Sequence, residues 1–275
     1  MSQATERNIQ RVAIGGFGAV GRTVARRLDQ GVEGLTLVAV SARDRARATE
    51  RMNGFNQPVP VLPLKDLGAI ADVVVECATA AVFPEVAEPA VKAGRVFMPI
   101  SVGALLSHWH IVDLAKAHGA RITVPTGALL GLDAVRAAAE GHIDCVRMVT
   151  RKPPPTLAGS PYLQAHAIDL EGLSKPLKVF EGSAREGAKG FPANVNVAAA
   201  LGLAGIGADR TRLEIWADPN VTRNTHSILV EADSARFELN IENIPSADNP
   251  RTGKIVALSV IAALRSLVGT VSIGT

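Results

Sequence analysis

Two groups of residues in this 275-residue chain have types and spacings suited to chemistry. The first is Asp218-Pro219-Asn220-Val221-Thr222-Arg223-Asn224-Thr225-His226, the densest polar cluster outside the N-terminal half. If the chain is extended here, its side chains alternate, so Asn224 and His226 share a face with Ile228 and Val230. That apolar face is the covered one, which puts His226 at the mouth of a half-buried sheet surface. An imidazole there is suited to moving a proton near neutral pH, as any oxidation of a C–H beside an N–H or O–H requires. A histidine at an apolar strand edge is also a common structural residue, and the sequence alone leaves both readings open. Arg223 and Lys254 are candidates for holding a carboxylate, with Arg223 the better bidentate partner and Asn224 beside it. Either cation also reads as an ordinary surface charge.

The second group is Gly16, Gly18 and Gly21, a G-x-G-x-x-G run. The β-branched stretch Val12 to Ile14 precedes it, and an amphipathic pattern (Val20, Val24, Leu28) follows. In a strand–turn–helix the glycines divide the work: one makes the tight turn, one lets the backbone approach a pyrophosphate, one lets helix and strand pack closely. The backbone of Gly16, Gly18, Ala19, Val20 and Gly21 is then a phosphate cradle at a helix N-terminus. The bland alternative is a glycine-rich turn with no ligand.

The elements that must position these residues follow from the pattern. Leu35 to Val40 reads as a second strand, near-continuously apolar as a parallel strand covered on both faces should be. A NAD-selective site places an acidic residue at its end for the ribose 2′-OH. This chain has Ser41-Ala42-Arg43-Asp44-Arg45 instead, so Ser41 and Arg43 are candidates for accepting a 2′-phosphate, and both NAD and NADP are in play. Arg43, Arg45 and Arg47 read equally well as solvated charges at a helix start.

Strands are expected at Asp72 to Ala78, Val96 to Ile100 and Arg121 to Val124, with helices at Val82 to Ala93 and Leu105 to His118. This alternation predicts a doubly wound parallel sheet. Small residues at the strand ends, Ala78 among them, would leave room for a cofactor. The glycine-punctuated loop Pro125 to Gly131 opens a helix from Leu132, and the character changes there. A strand at Ile143 to Thr150 precedes Lys152-Pro153-Pro154-Pro155, read as a stiff break, and a polar stretch of loose pattern.

Phe191 to Asn196 opens an alanine-rich helix through Leu203. Asn194 is its expected N-cap, and Asn196, one turn in, is expected to have an amide free for a ligand. Strands at Arg212 to Ala217, His226 to Ala232 and Arg236 to Glu242 alternate apolar with polar, the pattern of an antiparallel sheet. An apolar helix begins at Ile255. The expected architecture is α/β, a Rossmann-type doubly wound parallel domain over residues 1–126 followed, from Gly127, by an α+β domain with a largely antiparallel sheet.

Composition narrows the function classes. The chain is 47% hydrophobic and 20% charged, with a formal net charge of +3. No basic run is interleaved with aromatics, which argues against nucleic-acid binding. Cys77 and Cys145 lie in apolar runs with no metal-ligand spacing, so reduced core thiols in a cytoplasmic protein, and no metal, are expected. The segment MSQATERNIQ lacks the apolar stretch of a signal peptide. The run Ile255 to Val268 is too short for a membrane span.

At this point the chain resembles the L-aspartate dehydrogenase family over nearly its whole length. The likeness rests on GGFGAVG (Gly15 to Gly21), SVGAL (Ser101 to Leu105), TGALLGLDA (Thr126 to Ala134), FPANVNVAAAL (Phe191 to Leu201), ADPNVTRNTH (Ala217 to His226) and ENIPSADNPRTGKIVAL (Glu242 to Leu258). The resemblance implies NAD- or NADP-dependent oxidation of L-aspartate to iminoaspartate. The imine hydrolyses to oxaloacetate and ammonia or supplies quinolinate for NAD biosynthesis. Carried over residue by residue, the family's catalytic histidine falls on His226 and its cofactor contacts on Ala128 and Asn196. The resemblance also implies a homodimer, and a last helix (253–275) that packs back to complete the Rossmann-type domain, leaving 127–252 as the catalytic and dimerisation domain. The chain departs from the pattern at Ser41 and at Thr252-Gly253-Lys254, where a Thr-Ser pair is expected. A dehydrogenase or reductase of another amino or imino acid, or a non-catalytic nucleotide sensor, remains an alternative at this stage.

Overall fold

A computed structural model describes residues 9–192, 195–249 and 252–274. The expected helix cap Asn194 lies outside the described residues. In chain order the elements begin with β1 (Gln10–Gly15), α1 (Ala19–Asp29), β2 (Leu35–Ser41), α2 (Arg45–Arg51), α3 (Leu67–Ile70), β3 (Val73–Glu76), α4 (Phe83–Lys92) and β4 (Val96–Pro99). Next come α5 (Val102–Ser107), α6 (His110–Ala117), β5 (Arg121–Ile122), α7 (Leu132–Ala139), β6 (Ile143–Lys152), α8 (Pro154–Leu157) and α9 (Pro161–Ala165). The chain ends with β7 (Leu177–Ser183), α10 (Ala184–Gly190), α11 (Asn196–Ala204), β8 (Arg212–Ala217), β9 (Thr225–Ala232), β10 (Arg236–Glu242) and α12 (Ile255–Val268).

The chain divides into two compact units. The first comprises residues 1–101, 108–125 and 257–272; the second takes 102–107, 126–256 and 273–275. In the first unit five parallel strands run in the order β2-β1-β3-β4-β5. The order reverses between β1 and β3, the switch point where open α/β sheets bind ligands at their carboxyl edge. Val12, Ala13, Ile14 and Gly15 are all buried, as are Val73 to Glu76, because helices cover both faces. Ala257, Val260 and Leu264 of α12 join the core cluster of this unit with Val24, Leu28, Leu35 and Leu37.

The second unit holds a mixed five-stranded sheet in the order β10-β9-β6-β8-β7. The strands β8 and β9 are not neighbours, contrary to the simple antiparallel run expected. The ten-residue β6 lies between them, antiparallel to β9 and parallel to β8. Apolar–polar alternation reports that one face is covered, not which way the neighbouring strand runs. The β6–β8 connection carries helices and β7, as a parallel crossover requires.

Three other local readings differ from the structure. The expected helix Leu105 to His118 is two helices, because the chain passes from the second unit to the first between Ser107 and His108. The Lys152–Pro155 segment is a break only at Pro153. Lys152 is the last residue of β6, and Pro154 opens the helical turn α8, where a missing N–H costs nothing. The loosely patterned stretch beyond contains α9, β7 and α10. Helix α10 starts with a capping box: the Ser183 hydroxyl accepts from Glu186 N at 3.2 Å, and the Glu186 carboxylate accepts from Ser183 N at 2.8 Å. The spacing Ser183-x-x-Glu186 is its sequence signature.

Candidate active site

In the first unit the glycine run connects β1 to α1. Gly16 sits at φ +116°, and a Cβ there would lie 2.5 Å from Cys77 O and 2.7 Å from Ala78 N. A Cβ on Gly21 would lie 1.9 Å from Gly16 O, so the loop folds over the helix only with glycine at both positions. Gly18 differs: a Cβ there would meet nothing within 4 Å. It is the N-cap of α1, without a side-chain cap, and the first turn, which starts at Ala19 and Val20, has no acidic residue. An exposed, uncapped helix start with open space beside its glycine fits a dinucleotide pyrophosphate.

The loop is tied to the neighbouring strand ends. Gly16 N donates to Ser41 O at 3.1 Å and Cys77 N to Gly15 O at 2.7 Å. Ser41, the last residue of β2, is buried, whereas Arg43 is exposed. Asp44, next in the chain, caps α2 by accepting from Arg47 N at 3.0 Å. Arg45 and Arg47 belong to the first turn of that helix, leaving Arg43 as the arginine that precedes it.

Glu76, at the end of β3, was not among the residues singled out from sequence. It is fully buried and accepts from Ala78 N at 2.8 Å, Ser101 N at 2.9 Å, Ile100 N at 3.2 Å and the Ser101 hydroxyl at 3.1 Å. Burial pushes its pKa up to about 7 against the pull of these donors. Its carboxyl thus pins the loops after β3 and β4 at the carboxyl edge of the sheet. A single acid inside the apolar run Val73 to Ala78 is the signal that could have found it.

In the second unit the site forms at one end of the sheet. The β6–β9 register sets Thr150 opposite His226 and Arg151 opposite Thr225. His226, Ile228 and Val230 are buried on one face, and His226 is 3% exposed. The Thr150 hydroxyl lies 2.8 Å from His226 Nδ1 and 3.3 Å from Thr225 O. The carbonyl can only accept, so a hydroxyl hydrogen directed at it leaves Oγ1 to accept from Nδ1–H. That tautomer puts the free lone pair on Nε2. Burial, and then the charge of Lys152, lower the imidazole pKa to about 3, so His226 is neutral across the physiological range.

Lys152 is the other residue missed from sequence. It is 4% exposed, two positions beyond Thr150 and therefore on the same face of β6. Burial lowers its pKa to about 8. Asn224 immediately precedes β9, with its side-chain Oδ1 buried and without a hydrogen-bond partner among the described residues. Arg223 lies partly exposed, 3.6 Å from the carboxylate of Glu242. Lys254 is exposed.

Asn196 is the first residue of α11, and its Oδ1 accepts from Gly103 N at 3.0 Å. Its amide oxygen is therefore engaged in satisfying the start of α5, contrary to the expectation of a free amide. Ala128 offers its backbone: Ala128 O accepts from the Asn243 side-chain amide at 3.3 Å. A Cβ on Gly253 would lie 2.9 Å from Asn243 Oδ1, which gives the Thr252-Gly253-Lys254 departure a packing reason. Among the described residues no cluster of His, Cys, Asp and Glu could hold a metal ion, and no helix is long and apolar enough to cross a membrane.

Comparison with known proteins assigns both halves. Residues 133–267 match the family described as aspartate dehydrogenase, C-terminal, and residues 16–125 match the homoserine dehydrogenase NAD-binding domain family. An L-aspartate dehydrogenase of Bradyrhizobium diazoefficiens is 56% identical, covering 100% of this chain and 98% of its own length. L-aspartate dehydrogenase 3 of Bordetella bronchiseptica is 52% identical, covering 96% and 97%. The crystal structure of aspartate dehydrogenase from Thermotoga maritima is 25% identical, with a TM-score of 0.72 over 96% of this chain and 99% of that one. A polar cluster at one sheet end, a glycine cradle at the edge of another and full-length relatedness lead to one assignment: the chain belongs to the L-aspartate dehydrogenase family.

Proposed function

We propose that this protein catalyses the NAD(P)-dependent oxidative deamination of L-aspartate to iminoaspartate. The imine then hydrolyses to oxaloacetate and ammonia or is drawn into NAD biosynthesis. The first unit is assigned to the dinucleotide and the second to the substrate and catalysis. The bound cofactor supplies the hydride acceptor. Gly16, Gly18, Ala19, Val20 and Gly21 are assigned to its pyrophosphate, with Ser41 and Arg43 toward the adenosine 2′ position and Ala78 beside the glycine loop; for Ala128 and Asn196 a cofactor role rests on the family resemblance alone.

The observation that carries the reading is the Thr150–His226 pair. It anchors a buried imidazole at Nδ1, which burial keeps neutral, and Nε2 is the nitrogen assigned to the substrate. Nε2 takes a proton from the substrate ammonium, leaving the nitrogen lone pair that forms the C=N bond as the Cα hydride departs. Once that proton has passed to solvent, Nε2 can deprotonate the water that attacks the imine. Asn224 and Arg223 are assigned to the substrate's polar groups. The cytoplasm is the proposed compartment, supported by the unpaired Cys77 and Cys145 thiols. A homodimer is the proposed assembly, supported by the family resemblance and checked by sedimentation.

The test is steady-state formation of reduced nicotinamide from L-aspartate with NAD and with NADP, beside L-glutamate, L-alanine and L-asparagine. L-aspartate should be preferred by at least about tenfold, a discrimination expected when buried polar groups lose their partner. Preference for another amino acid overturns the substrate, and cofactor binding without any turnover overturns the enzyme.

A further inference from the structure

We propose that Lys152 is the residue that binds a carboxylate of the substrate, beside His226 on the covered face of the second unit's sheet. This assignment rests on the dehydrogenase reading and names which cation recognises the acid. Three observations converge on it. Lys152 lies within the sheet's covered face at 4% exposure, yet no ion pair or hydrogen bond of its ammonium to another described residue is present. Asp218, whose backbone N–H donates to Lys152 O, has its carboxylate already taken, accepting from Arg151 at 3.1 Å and from Asn220 N at 2.9 Å. A buried cation is ordinarily paired, because desolvating it alone costs several kilocalories per mole. Among the described residues none fills that role, and a ligand's carboxylate would.

The second observation is register. Thr150 faces His226 and Arg151 faces Thr225, so the next step along both strands brings Lys152 and Asn224 to the same end. The third is Asn224 Oδ1, a buried acceptor without a partner among the described residues. An ammonium donor, a lone carbonyl acceptor and a neutral imidazole at one sheet end are complementary to an amino acid. Lys152 takes a carboxylate, Asn224 Oδ1 accepts from the substrate ammonium, and His226 Nε2 receives the proton. Arg223, the cation favoured by sequence, is partly exposed and lies beside Glu242, so Lys152 is the one whose charge is unanswered.

The experiment is calorimetric titration of the full-length protein with succinate, a dicarboxylate without an oxidisable amine, in the presence of NAD. Wild type should bind succinate, and Lys152→Met should bind it roughly 10- to 100-fold more weakly, the size of a lost charge-assisted hydrogen bond. The apparent KM for L-aspartate should rise by a similar factor with the KM for NAD unchanged, a split that a merely structural lysine would not produce. If Lys152→Met does not fold, Lys152→Gln carries the same expectation. Equal succinate affinity in a folded variant, or no succinate binding by wild type, overturns the assignment. Lys152-dependent succinate binding without turnover of L-aspartate leaves the carboxylate site standing and overturns the dehydrogenase reading instead.

Discussion

The two units build their sites in opposite ways. The first concentrates its cradle in one contiguous run, Gly16 to Gly21, where each glycine answers a local steric demand: a positive φ, a close approach to Gly16 O, or an open flank. The second assembles its groups from β6 and from the start of β9, with Thr150 and His226 distant in sequence and joined only by strand register. In the proposed cradle the backbone itself would be the ligand-binding surface, and at Gly16 and Gly21 a side chain would run into other backbone. A site assembled from side chains on a shared sheet can lose one group and keep its fold.

That contrast can be broken or sharpened experimentally. The largest effect is expected from Gly21→Ala, whose Cβ would sit 1.9 Å from a backbone oxygen that cannot move aside cheaply. It should abolish measurable NAD(P) binding and destabilise the protein by more than about 3 kcal/mol, read by fluorescence titration and chemical denaturation. Intact binding would remove the cradle from the first unit.

In the second unit, His226→Ala should keep the fold and cofactor affinity while lowering kcat by about 10²–10⁴. A variant with wild-type turnover would leave His226 a structural residue.

Glu76→Ala tests whether the first unit also depends on a side-chain node. Ala78 N and Ser101 N lose their acceptor, while Ile100 N and the Ser101 hydroxyl are left with the backbone carbonyls of Glu76 and Ala78, so a loss of about 2 kcal/mol or more is expected by urea denaturation. A loss below about 1 kcal/mol would show that the loops after β3 and β4 hold themselves.

Lys152→Met should have the opposite sign. The ammonium's pKa is depressed in the fold to about 8 from an ordinary 10.5, so the folded state disfavours the charged form. The lysine's penalty is fully present below pH 8 and fades as pH rises from 8 through 10.5, where the unfolded chain also releases its proton. The variant should therefore be more stable than wild type by about 1–3 kcal/mol at pH 7, with the gain shrinking toward pH 10.5. A destabilised variant at pH 7 would mean that the ammonium has a stabilising partner in the unliganded protein.

The smallest effect is at the cofactor's 2′ end. Arg43→Ala should lower kcat/KM with NADP by a few-fold, as expected for an exposed ion pair, and leave NAD unaffected. An equal loss with both cofactors would make Arg43 a general contact.

How much was legible depended on whether a signal was local. The glycine loop, the strands β1 to β4, the helix from Asn196 and the extended run from His226 each carry their own period or punctuation, and the parallel order of the first sheet follows from strand–helix alternation. The capping box at Ser183 and Glu186 was present in the sequence and could have located α10. Lys152 was obscured by the prolines that follow it, which made the end of β6 look like irregular chain. Glu76 was obscured by its apolar neighbours.

By itself the sequence determined the covalent and local facts: which residues can turn at Gly16, which face of β9 is apolar, and that His226 stands on it. Tertiary structure decided the partners. Only the insertion of β6 between β8 and β9 sets Thr150 against His226 and places Lys152 on the same face. Strand order and burial are set by how the whole chain minimises exposed apolar surface, and no short window of residues encodes them.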